Sequence, residues 1–119
     1  MRYSFFVEMK PTTWKRTGQG IKRYTPPEMR RAKQHIADTF CLEYPHDIIP
    51  LTGDVSLTLR IVTKNGKKPG DIDNYSKLVM DALQGYAYEN DKQVMWLEAG
   101  VKQGEPEGFE IEVMTKEAA

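Results

Sequence analysis

The chain has a single cysteine, Cys41, so no internal disulfide can form, and a lone thiol reads as a packed, reduced side chain rather than a nucleophile. Its two histidines, His35 and His46, stand at no spacing that would hold zinc. Cysteine and zinc chemistry are therefore set aside. No stretch of about 18 apolar residues is present to cross a bilayer. The opening MRYSFFVEMK is too short and too charged for a secretory signal. A cytoplasmic protein with no membrane partner is expected. There is no internal repeat and no glycine-rich phosphate loop of the Walker type. With 119 residues the chain can bury one core but not two, so one domain spanning 1–119 is expected.

Net charge is also lacking, with 17 basic and 17 acidic residues, but the balance hides an uneven distribution. From Lys10 to Lys33 there are eight basic residues against the single acid Glu28, and Arg60, Lys64, Lys67 and Lys68 follow with no acid among them. The acids Glu105, Glu107, Glu110, Glu112 and Glu117 come late. Segregation of this kind can give a neutral protein one basic face, although scattered surface charge would produce the same counts.

Alternating Tyr3, Phe5, Val7 and Met9 predict a strand that Pro11 ends. TTWKRTGQGIKRY shows neither helical nor strand period and reads as a loop. TPPE at Thr25 to Glu28 has the form of a capping box, and Met29, Ala32, Ile36 and Phe40 give the helix that follows an apolar stripe to about Tyr44. Val55, Leu57, Leu59 and Ile61 mark a second strand, with Asn65-Gly66 and Pro69-Gly70 at its end. A second helix begins near Asp71 and closes at Gly85. A third strand is predicted over about Gln93 to Lys102 and a fourth at Phe109, Ile111 and Val113, with QGEPEG between them. The fold class is α+β: a two-layer arrangement of a mixed four-stranded sheet and two helices, in the order β-α-β-α-β-β.

The second helix carries the chemistry. In GDIDNYSKLVMDAL, the residues Tyr75, Leu78, Val79, Ala82, Leu83 and Tyr86 form one apolar face, while Asp73, Lys77 and Asp81 stack at intervals of four on the other. Local roles exist for all of them: Asp71 as an N-cap, Asp73 as a first-turn acid and the rest as exposed ion pairs. Three features weigh toward chemistry. The preceding loop KNGKKPG is basic, Asn90-Asp91 adds a carboxylate from another element, and oxygen-only ligands suit Mg²⁺ or Mn²⁺. An EF-hand beginning at Asp71 fails, because Ser76 and Ala82 stand where Gly and Glu are required. A D-x-D nucleotide-sugar enzyme is a distant alternative for so small a chain.

From Gly70 to Val94 the sequence GDIDNYSKLVMDALQGYAYENDKQV resembles the signature of the RusA family of Holliday junction resolvases: D-x-D-N-x-x-K, a helix ending D-A-L, then N-D or D-D before Q-V. The resemblance implies a homodimeric, Mg²⁺-dependent endonuclease that makes symmetric cuts in four-way DNA. By position it implies that Asp71, Asp73 and Asp91 hold the metal and that Lys77 is catalytic beside them. Asp81 matches a further acid with a supporting role, and Asn74 a motif position that can hydrogen-bond within the site. Lys102 resembles a late-strand lysine that contacts phosphate.

The N-terminal loop matches no family motif. Its residues Lys15, Arg16, Lys22 and Arg23, with Lys67 and Lys68 before the aspartates, are candidates for DNA phosphate, and Trp14 and Tyr24 for base stacking. The alternative in another class is a branched-DNA-binding module without catalysis, whose acids only cap and pair. The nuclease reading rests on the three aspartates converging on one ion.

Overall fold

The computed structural model describes residues 1–11, 27–45, 49–67 and 70–115. Four strands and two helices follow in the expected order: β1 (Arg2–Glu8), α1 (Pro27–Glu43), β2 (Val55–Thr63), α2 (Ile72–Leu83), β3 (Val94–Gln103) and β4 (Gly108–Thr115). A short 3₁₀ turn, Asp91–Gln93, leads into β3. The third strand thus starts one residue later than the sequence suggests, because Gln93 belongs to that turn. Thr25 and Pro26, half of the expected capping box, lie outside the described residues.

The sheet order is β1-β4-β2-β3. β4 runs antiparallel to both β1 and β2, and β2 and β3 are parallel, so the sheet is mixed. The period-two pattern sorts its two faces. Tyr3, Phe5, Val7, Leu57, Leu59, Ile61, Phe109, Ile111 and Val113 point to one side and are buried there. Both helices cover that side: α1 contributes Met29, Ala32, Ile36 and Phe40, and α2 contributes Tyr75, Leu78, Val79, Ala82 and Leu83, all to one core. α1 stops at Glu43 because Pro45 disfavours helical backbone at the residue before it. β1 and β4 close tightly at Gly108, where a Cβ would run into the Val7 carbonyl oxygen.

Among the described residues, no helix lies on the other face of the sheet. Arg2 with Glu112 (3.7 Å), Arg60 with Glu98 (3.6 Å) and Lys102 with Glu110 (3.1 Å) span it as exposed ion pairs, each worth a few tenths of a kcal/mol.

The sheet's two outer edges differ. Along β1 the Tyr44 hydroxyl both accepts from the Ser4 amide (2.9 Å) and donates to the Ser4 carbonyl (2.9 Å). His35 Nε2 lies 3.0 Å from the Glu8 carbonyl oxygen, so α1 occupies polar backbone on that edge. Nothing comparable reaches β3: no described side chain hydrogen-bonds to its backbone between Met95 and Gln103, although Met95, Trp96 and Leu97 stand 60%, 64% and 45% exposed. Among the described residues no helix is long and apolar enough to cross a membrane.

Candidate active site

α2 follows from its own sequence: a strong apolar face, an acid in the first turn, and Gly85 at φ +87° just after the helix, where an L side chain would be strained. Asp71 occupies the N-cap position with extended backbone, and its carbonyl accepts from the Asn74 and Tyr75 amides at 3.1 and 3.3 Å. Its carboxylate makes no cap hydrogen bond. Asp73 lies exposed in the first turn and Lys77 exposed one turn later. Neither Asp71 nor Asp73 is held in an ion pair among the described residues. Asp81 is turned toward α1, where it pairs with Lys33 at 3.6 Å, so the pairing partner found for it is not Lys77 but a residue of the neighbouring helix.

Tyr75 anchors this end of the helix. Its ring packs against Phe109 with centroids 6.0 Å apart, and its hydroxyl is buried with no hydrogen-bond partner among the described residues. Burial raises its pKa.

Asp91 is positioned by other means. Asn90 and Gln93 form a reciprocal capping box around the 3₁₀ turn. Gln93 Oε1 accepts from the Glu89 and Asn90 amides (2.9 and 3.0 Å), while its Nε2 donates to the Leu51 and Gly53 carbonyls (2.8 and 2.9 Å). The Asp91 amide donates to Gln84 Oε1 at 3.0 Å, tying the turn to the end of α2. Beneath it, the Tyr88 hydroxyl donates to the Met80 carbonyl at 2.7 Å. Burial raises the Tyr88 pKa strongly, and the negative charges of Asp91 and then Asp81 add to the shift. Those two carboxylates therefore act on one phenol near the C-terminal end of α2.

The folded chain separates what the motif groups. Asp71 precedes the first residue of α2, and Asp91 is bonded to Gln84, which follows the last. A 12-residue helix is about 18 Å long at 1.5 Å per residue. The parallel pairing agrees: Val55 lies opposite Val94 and Thr63 opposite Gln103, so the Asp91 turn sits at the start of β2 while the loop to Asp71 leaves from its end. Carboxylates sharing one dication must each bring an oxygen to within about 2.6 Å of it. Among the described residues, no three of His, Cys, Asp and Glu form such a group. Asp71 and Asp73 thus share one end of the molecule, Lys77 stands midway along α2, and Asp91 occupies the other end.

Of the phosphate candidates, Lys67 is exposed in the loop before α2, its amide donating to Asn65 Oδ1 at 2.9 Å. Lys102 projects from the helix-free face onto Glu110. Lys15, Arg16, Lys22, Arg23 and Lys68, with Trp14 and Tyr24, lie outside the described residues.

Gln93 and Gln84 are the residues that sequence reasoning passed over. The Q of the motif's Q-V was a visible signal for Gln93, but its four backbone partners come from segments some forty residues apart in the chain. Gln93→Ala removes all four bonds, so we expect a loss of about 2 kcal/mol or more in unfolding free energy. In a nuclease of the kind that the motif resemblance implies, DNA cleavage should fall at least about tenfold as the Asp91 turn loosens. Thermal melting and single-turnover cleavage measure the two effects, and an unchanged cleavage rate would remove Gln93 from the positioning of Asp91.

The fold is a small α+β domain whose second helix displays the exposed Asp73 and Lys77, with the exposed Asp71 at its N-cap. The comparison with family models is specific: residues 7–114 match the model for endodeoxyribonuclease RusA, and the chain belongs to that family. No curated protein matches the chain. Membership implies a nuclease enzyme of the Holliday junction resolvase kind, whose substrate is branched DNA.

Proposed function

We propose that the protein is a Mg²⁺-dependent, structure-selective endonuclease that works as a homodimer and resolves four-way DNA junctions by paired, symmetric phosphodiester hydrolysis. The observation that carries this reading is Asp71: it stands where an N-cap would, yet its carboxylate is spent on no backbone amide, beside an equally uncommitted Asp73. A helix that needed only a cap would have used it.

The donor set suits a hard dication. Asp71, Asp73 and Asp91 offer oxygen alone, and none of these carboxylates is engaged in an ion pair among the described residues. Such an ion polarises a phosphodiester and lowers the pKa of an attacking water. The chain's own residues supply the rest. Lys77, one turn after Asp73, presents an ammonium to a phosphate oxygen as charge develops there. Lys67 and the basic loop draw the DNA backbone toward the acids.

With Asp91 at the far end of α2, the acid set closes between two copies: Asp71, Asp73 and Lys77 of one subunit with Asp91 of the partner subunit. A two-fold axis makes two such sites, as paired symmetric cutting requires. The test is cleavage of a synthetic four-way junction. Cutting is expected with Mg²⁺, none after EDTA, and recovery when Mg²⁺ is restored. Junction binding without nicking in either Mg²⁺ or Mn²⁺ would instead identify a binding module.

A further inference from the structure

We propose that Arg30 and Arg31, on the outer surface of α1, form a phosphate-contact site that holds the DNA backbone a few nucleotides from the bond being cut. The inference rests on the junction-cutting reading above and adds a surface of α1 to the substrate contacts.

The charges of α1 run against its dipole. Anions are favoured at a helix N-terminus and cations at its C-terminus. Here Arg30, Arg31 and Lys33 all stand in the first half, whereas the last turn has no basic residue and the helix ends on Glu43. Glu28 is the one acid in the first turn. Helix stability alone does not select that order.

The two arginines do not hold the fold together either. Both are exposed, and neither has an ion-pair partner among the described residues. Their neighbours are engaged elsewhere: Lys33 pairs with Asp81 at 3.6 Å, and the Asp38 carboxylate accepts from Gln34 Nε2 at 2.7 Å. A guanidinium is always charged, and its planar fork matches two phosphate oxygens.

Topology brings both arginines toward the end of the molecule that carries Asp71 and Asp73. β1 and β2 each run antiparallel to β4, so their C-terminal ends lie together. His35 meets the Glu8 carbonyl while Tyr44 meets Ser4, so α1 runs antiparallel to β1 and begins at that same end. α2 begins there as well, from the loop that leaves β2. The two helices therefore run side by side in one direction, and the pair of Lys33 with Asp81 sets their relative level. Lys77, one turn before Asp81, stands at about the level of Arg30, one turn before Lys33. Counting back from the pair at about 1.5 Å per residue, with axes about 8–10 Å apart, puts the Arg30 and Asp73 backbones about 12 Å from each other. Phosphates of one strand recur about every 3.4 Å along a duplex axis, so a strand cut beside Asp73 passes Arg30 within a few nucleotides. Arg31, one turn before His35, continues the contact toward the β1 side of α1.

The double variant Arg30→Gln, Arg31→Gln tests the site, with four-way junction affinity measured against salt while Mg²⁺ is withheld. The slope of log affinity against log salt should flatten by about two for each subunit engaged, and affinity at about 0.1 M salt should fall about tenfold or more. The melting temperature should stay at or above that of wild type, since the lost cations oppose the dipole. With Mg²⁺ the loss should fall on the protein concentration needed for half-maximal cutting rather than on the rate at saturation. Arg30→Lys with Arg31→Lys should restore the slope, and Arg2→Gln, on the helix-free face, should leave it as in wild type. An unchanged slope in the double glutamine variant overturns the site, as does an equal flattening in Arg2→Gln. A wild type that binds but never nicks, with the slope still flattened by the double variant, leaves the site standing and refutes the nuclease. A wild type that nicks while the double variant keeps the full slope does the reverse.

Discussion

Asp73→Asn is expected to lower junction cleavage by on the order of 10²–10³-fold or more, with junction binding kept and the melting temperature close to wild type. The substitution keeps size and shape and removes one negative charge from an exposed first-turn position. Its structural cost is bounded by the helix-dipole contribution, about 0.3–1 kcal/mol. If the carboxylate is a metal ligand, the amide replaces a charged oxygen with a weaker donor, and the loss falls on the chemical step rather than on folding. Single-turnover cleavage at saturating protein separates the two, with mobility shift as the binding control. A variant that cuts within about threefold of wild type would return Asp73 to the role of a first-turn acid.

Phe40→Ala is expected to cost about 3–5 kcal/mol of stability and to lower the melting temperature by more than about 10 °C. Phe40 is fully buried and stands among three aromatic rings, with centroids 4.9 Å from Tyr3, 5.3 Å from Phe5 and 5.5 Å from Tyr44. Its removal opens a cavity where α1 meets β1 and forfeits one edge-on and two tilted ring contacts, worth about 0.5–1.5 kcal/mol each. It also loosens Tyr44, whose hydroxyl closes the β1 edge, and Tyr3, whose hydroxyl donates to the Ile49 carbonyl at 2.8 Å. Small domains hold only about 5–15 kcal/mol in total, so chemical denaturation should show the midpoint moving far toward zero. A loss under about 1 kcal/mol would mean that the ring cluster collapses around the gap.

The elements that bury one face were legible because burial imposes a period. Val55 to Ile61 alternates without exception, and the apolar face of α2 matches the expectation except at Tyr86, which is half-buried. The strand of β3 was harder to place: an edge strand packed only lightly by α2 has little to alternate against, and its first expected residue, Gln93, is instead the keystone of a 3₁₀ turn. The pairing of Asp81 with Lys33 was not legible either, because it depends on how α1 lies against α2. The motif singled out Asp71, Asp73 and Asp91, but sequence proximity suggested a convergence that the crossover from β2 through α2 to β3 does not produce within one copy. Spacing along a chain reports which residues share a helix face; it does not report which end of a sheet the next loop reaches.

Division of the acids between two copies has one direct test: co-folding Asp71→Asn with Asp91→Asn, each inactive alone, and assaying nicking of a four-way junction. In a mixed dimer one site carries both substitutions and the other carries neither, so nicking should return to about a quarter of the wild-type site content, without paired resolution. A mixture as inactive as its components, from subunits shown to have exchanged, would contradict the account.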